Sequence, residues 1–131
     1  MHRAYLQCLW YCLQARLGIN QREAQLRRQG SGEGQGLRAL LQHGIYRERL
    51  TEMVTDAGRA LLLDMAGYST KVFEFVGGEH TSKNVMITAV RDGRRRTPEE
   101  VEALRGQLKA LAGEFGLQSL KLAALMQEDL V

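Results

Sequence analysis

Proline occurs once, at Pro98, and aromatic residues make up 6% of the 131 residues. A chain with one proline, abundant helix formers and so few strand-favouring rings is expected to be mostly helical, with few strands. Cysteine is nearly absent. Cys8 and Cys12 are four positions apart, a spacing that puts both on one helical face, where helix geometry does not favour a disulfide. No further cysteine or histidine cluster accompanies them, which argues against a metal site and for reduced, buried thiols of a reducing cytoplasm.

Long apolar runs are missing as well. The opening "MHRAYLQCLWYCLQARLG" begins basic and then turns apolar, as a secretion signal does, but Gln7 and Gln14 interrupt it and no small-residue cleavage site follows. No stretch approaches the roughly 18 apolar residues that a membrane-spanning helix needs, so no membrane partner is expected. Charge is not strongly one-sided: the net charge of +3 can steer an anionic partner such as RNA but falls short of a dedicated nucleic-acid binder.

With 44% hydrophobic and 25% charged residues, the sequence has the composition of one globular domain, and its length is too short for two well-cored ones. Residues 3 to 17 carry a wide apolar stripe (Ala4, Cys8, Tyr11, Cys12 and Ala15, widened by leucines and Trp10) that reads as a buried helix stopped by Gly18. "QREAQLRRQ" reads as a short polar helix, and "GSGEGQG", residues 30 to 36, as a mobile loop. "LRALLQHG" is a short helical piece ended by Gly44.

The longest helical pattern follows, "YRERLTEMVTDAGRALLLDMAG", closed by Gly67. Leu50, Met53, Val54, Ala57, Leu61 and Met65 recur on one face, and Asp56 with Arg59 suit a surface pair. Residues 70 to 76 and 84 to 91 are short and rich in β-branched or aromatic residues, and are read as two strands returning antiparallel. Within the first, Glu74 is a polar exception that calls for a partner such as Lys71 or Arg59. Two strands alone leave two open edges that something must cover or extend. In "TPEE", Thr97 is a helix cap, Pro98 the first helical residue and Glu100 the capping-box acid. Val101, Leu104, Leu108, Leu111 and Phe115 form the stripe of the last long helix, ended by Gly116. The fold class is α+β, mostly helical with one β-hairpin.

Over residues 40 to 91 the chain resembles the C-terminal part of bacterial S-adenosylmethionine-dependent methyltransferases of the Rossmann-like class I fold. The likeness is carried by "HGI" and "RER" at 43 to 49, "TDAGRALLL" at 55 to 63, "GY" at 67 to 68, and "EF" with "EHTSKN" at 74 to 84, where Ser82 replaces a usual proline. The chain then divides into a divergent helical N-terminus (1–36) with the glycine-rich loop, a methyltransferase-like region (37–91) and C-terminal helices (92–131), within one domain.

The resemblance implies that residues 46 to 66 are the helix before the sixth strand, residues 70 to 76 that strand, and residues 84 to 91 the antiparallel seventh. The intervening loop then faces the acceptor side, since ligands of open α/β sheets bind beyond the carboxyl ends of the strands. Within that loop, Glu79 and His80 are candidates for base or orienting roles, because an imidazole titrates near neutrality and a carboxylate raises its basicity. Thr81, Lys83 and Asn84, with His43 and Arg47, are candidate substrate-binding residues.

The cofactor of such enzymes is S-adenosylmethionine, but no glycine-rich turn after a strand is found in this sequence; "GSGEGQG" follows a polar stretch and lacks that context. The chain alone is therefore expected not to bind the cofactor, as expected of a truncated frame, a split subunit needing a separate N-terminal half, or a domesticated fragment. Two further readings are a non-catalytic interaction module or homo-oligomer pairing through its sheet edge, and an RNA-binding accessory domain using Arg94, Arg95 and Arg96.

Overall fold

The structure, a computed structural model, describes residues 3–4, 16–17, 35–74, 85–91 and 93–130. Helices and strands are mixed: α1 spans Gln35–Leu41, α2 Gly44–Met65, α3 Pro98–Phe115 and α4 Lys121–Met126. The strands are β1 (Arg3–Ala4), β2 (Arg16–Leu17), β3 (Tyr68–Glu74), β4 (Val85–Arg91) and β5 (Leu117–Ser119).

Helix α3 starts where local chemistry dictates. The Thr97 hydroxyl accepts from the Glu100 N–H at 3.2 Å and the Glu100 carboxylate accepts from the Thr97 N–H at 2.9 Å, so two of the helix's orphan donors are satisfied reciprocally. It ends at Gly116, whose φ of 69° lies in the left-handed region that glycine enters without steric cost. The end of α2 is made by Ala66 and Gly67, the latter at φ 86°, and the chain turns directly into β3.

The hairpin β3–β4 is antiparallel with an unbroken register from Tyr68↔Arg91 to Glu74↔Val85. β4 is flanked on its other side by β1, also antiparallel, through Arg3↔Val90 and Ala4↔Ala89. A second small sheet joins β2 to β5, also antiparallel. One open edge of the expected hairpin is thus covered by the N-terminal segment.

The core lies among α2, α3, β5 and α4. Val54, Leu62 and Met65 of α2 meet Leu108 and Ala112 of α3, Leu117 of β5, and Leu120, Ala123 and Leu130 from the C-terminal segment. Gly58 is the point of closest approach: a β-carbon there would lie 2.7 Å from Leu120 Cδ1 and within 4 Å of side-chain atoms of Leu117 and Leu108. Thr55 is also buried, and its hydroxyl is satisfied within the helix by the Thr51 carbonyl at 2.7 Å. A smaller cluster, Leu63 with Ile87 and Ala89, fastens the sheet to the other side of α2.

Several expectations are revised. The buried face of α2 runs through Val54, Thr55, Gly58 and Leu62, whereas Met53 is 68% exposed and Ala57 faces outward. Close approach of α3 and the C-terminal segment requires a small residue at 58, and the buried face turns toward it and away from Met53. Gly44 does not end the short helix: α1 stops at Leu41 and Gly44 opens α2. Residues 35 and 36 of the expected glycine-rich loop belong to α1.

The helix expected over 3–17 is contradicted at both ends, since Arg3–Ala4 and Arg16–Leu17 are extended and paired to sheet edges that need backbone partners. Residues 5–15 lie outside the described ones, with Cys8 and Cys12, and so do Gly18 and the expected polar helix at 21–29. β3 begins at Tyr68 rather than at residue 70. Glu74 is exposed, so the buried carboxylate that called for Lys71 or Arg59 does not arise. Arg59 instead pairs with Asp56 at 2.9 Å, as the three-residue spacing predicts.

Candidate functional site

The resemblance directs attention to the connection between β3 and β4. Glu79, His80, Thr81, Lys83 and Asn84 lie outside the described residues, as does all of 75–84. What is described is the frame that presents this connection: two strands in continuous register whose last pair is Glu74↔Val85. Near that end Val72, Phe73 and Val85 are about half exposed, and Val90 stands exposed farther along β4. These side chains are divided between two faces: Val72 and Val85 share the face of buried Ile87 and Ala89, and Phe73 and Val90 share the opposite one.

His43 and Arg47 occupy the first turn of α2, where the Arg47 N–H donates to the His43 carbonyl at 3.1 Å. The His43 ring meets Tyr46 edge-on, with centroids 5.5 Å apart and an interplanar angle of 87°. His43 stands at the helix N-cap but makes no side-chain capping bond. His43 and Tyr46 are exposed at the start of the helix, and Arg47 is half-buried.

The basic run 94–96 does not form a uniform solvated face. Arg95 is exposed, and Arg94 pairs with Glu100. Arg96 turns inward: its Nε donates to the Asp64 carbonyl at 2.5 Å, and its Nη2 donates to the Tyr68 carbonyl at 2.8 Å and reaches the Asp64 carboxylate at 3.4 Å. Asp64 in turn accepts from the Thr70 N–H at 3.2 Å. Arg96 thus ties together the C-terminal end of α2, the start of β3 and the approach to α3, and complements the negative end of the helix dipole. Of the three arginines read as an RNA contact, Arg96 thus has its guanidinium engaged by carbonyls of its own chain, Arg94 pairs with Glu100, and Arg95 is exposed.

Sequence reasoning missed this role. The signal available was weak, an arginine just ahead of a capping box, and the bonds go to backbone atoms that no side-chain pattern encodes. From Asp64 back to His43 is about 30 Å of helix at 1.5 Å per residue, so the run 94–96 and the His43–Arg47 pair belong to opposite ends of α2.

The carboxyls held below the usual range are elsewhere. Glu99 is lowered by the backbone N–H and the Thr97 hydroxyl at the start of α3. Glu128 is lowered chiefly by Arg105, which grips it through Nε at 2.9 Å and Nη2 at 3.0 Å. Both serve helix and tail anchoring rather than a reaction centre.

Among the described residues no group of three or more His, Cys, Asp or Glu is placed to hold a metal ion, and no helix is long and apolar enough to cross a membrane. Of the strand-to-helix passages, β4 to α3 includes Gly93, at φ 76°, and enters a helix whose first turn carries Glu99 and Glu100 and is capped from within, and β5 to α4 contains no glycine. No family model matches the chain, and neither a curated protein nor a solved structure is similar to it.

Proposed function

We propose that the chain is a methyltransferase-like protein that supplies the acceptor side of a methyl transfer from S-adenosylmethionine, with the cofactor-binding wall provided from outside residues 1–131. The observation that supports this reading is the passage through 44–91. A helix of 22 residues turns at Ala66–Gly67 into a strand, and an antiparallel strand returns after a connection holding Glu79, His80, Thr81, Lys83 and Asn84. This is the order of elements that the resemblance to the class I enzymes implies. On this reading the hairpin is a rigid mount. Methyl transfer needs a nucleophile held in line with the sulfonium methyl, so Glu79 and His80 orient the acceptor and its proton, while Lys83 and Asn84 contact its polar atoms.

Titration calorimetry with S-adenosylmethionine tests the division of labour: the chain alone is expected to give no binding heat in the micromolar range, and micromolar binding would sink this assignment. Addition of a cofactor-binding half is expected to produce transfer of labelled methyl that His80→Ala lowers by about 10²-fold, the scale of a lost general base or orienting group.

Exposed apolar side chains on both faces of the hairpin, Phe73 and Val90 on one and Val72 and Val85 on the other, favour a second reading, a non-catalytic interaction module. Light scattering separates the two: a mass that rises with concentration and falls back in Phe73→Ser supports the module, and one monomer mass at all concentrations removes it.

A further inference from the structure

We infer that Asp64 and Arg96 form a plug on the outer edge of β3 that bars the addition of another strand there. Among the described residues the sheet order β1-β4-β3 leaves β3 at the end of its sheet, and an end strand presents N–H and C=O groups to any chain that can pair with them. In an antiparallel pair alternate residues turn these groups toward the neighbour and away from it. Thr70 turns its N–H away from β4, toward the Asp64 carboxylate at 3.2 Å. Lys71 turns its carbonyl the other way, where the Thr88 hydroxyl reaches it at 3.5 Å. By the same alternation Tyr68 points outward with Thr70, and its carbonyl accepts from Arg96 at 2.8 Å. Two of the outward-facing groups at the start of β3, the Tyr68 carbonyl and the Thr70 N–H, are thus met by side chains from the approach to α3 and from α2.

The two side chains also hold each other. Arg96 is anchored by the Asp64 carbonyl at 2.5 Å and lies 3.4 Å from its carboxylate. An incoming strand must therefore displace both charged groups before it can make its first backbone bond at Tyr68 or Thr70. The next outward residue is Val72, beyond the plug. This inference is independent of the methyltransferase reading, and it sets a limit on edge pairing wherever β3 is approached from Tyr68.

The test is the double variant Asp64→Ala/Arg96→Ala of the full chain, compared with the wild type by light scattering over a concentration series. Its self-association constant is expected to rise about tenfold or more, the size of one or two net hydrogen bonds. Val72→Pro in the same background is expected to return the mass to the wild-type value, because proline removes an outward N–H without touching the β3–β4 ladder. A folded double variant with wild-type association overturns the inference, as does association that Val72→Pro leaves unchanged. Should the double variant unfold, Asp64→Ala alone, which keeps both backbone bonds of Arg96, is expected to show the same rise in smaller measure; a folded Asp64→Ala chain without it overturns the inference equally.

Discussion

The helical block and the hairpin are built on opposite terms. In the block, α2, α3, β5 and α4 close over Leu62, Leu108, Leu117, Leu120 and Ala123, with Gly58 allowing the layers to meet. In the hairpin only the inner face is held, by Leu63, Ile87 and Ala89, while Phe73 remains 44% exposed. The hydrophobic effect is proportional to apolar area removed from water, so most of the stability resides in the block. The hairpin is secured by register and by Arg96. The residues proposed to act on a substrate are joined to the less buried of the two regions, as is usual for groups that must reach solvent.

Substitutions can break this comparison or sharpen it. Leu108→Ala, at a site with no solvent exposure in the middle of the block, is expected to cost about 2–5 kcal/mol in urea unfolding and to lower the midpoint of every probe together. Ile87→Ala is expected to cost less, about 2 kcal/mol, because its cluster is small and sits nearer the surface; its half-exposed strand neighbour Val85→Ala should stay within about 0.5 kcal/mol. If Ile87→Ala proves as damaging as Leu108→Ala, the two regions form one cooperative core and the comparison fails.

Gly58→Ala gauges the close approach. Alanine gains roughly 1 kcal/mol of helix propensity, but its β-carbon meets buried Leu120 at 2.7 Å, and overpacking costs about 1–3 kcal/mol; a net loss near 1 kcal/mol is expected. A gain in the unfolding midpoint would mean that the layers are free to part. The smallest effect belongs to Glu128→Gln. The Glu128 carboxyl is held below its usual value by Arg105, so its contribution is present at neutral pH and disappears as pH falls through the folded-state value. Unfolding midpoints of wild type and variant should differ at pH 7 and converge in acid; a difference that is constant with pH would deny the pair its electrostatic role.

The sequence is most legible where a feature is purely local. Thr97, Pro98 and Glu100 encode the start of α3 by their own hydrogen bonds, and Gly67 and Gly116 mark helix ends because each adopts a positive φ. The two strands are also readable, with β3 beginning two residues early. Illegible features depend on neighbours far along the chain. A stripe analysis counts apolar residues, so it chose Met53 and Ala57 over Thr55 and Gly58; the small residue at 58 is selected by Leu108, Leu117 and Leu120, which approach from more than 45 positions away. Arg96 looked like part of a charge run because its partners are carbonyl oxygens. The short pairings of Arg3–Ala4 and Arg16–Leu17 carry too few residues for any period to show. Of the candidate site, His43 and Arg47 are located at the head of α2, and Glu79 to Asn84 fall outside the described residues.

Arg96 has one more consequence, for how this chain can change over generations. By reaching back to Asp64 and Tyr68 it fastens the base of the hairpin from outside the hairpin, across 28 to 32 positions of sequence. The hairpin is thereby held at the end opposite to the Glu74↔Val85 pair. New residues can be inserted between Glu74 and Val85 at little more than the cost of a longer loop, about 0.6 kcal/mol for each doubling of its length. Selection can then rewrite the chemistry carried by that connection while the scaffold beneath it stays the same.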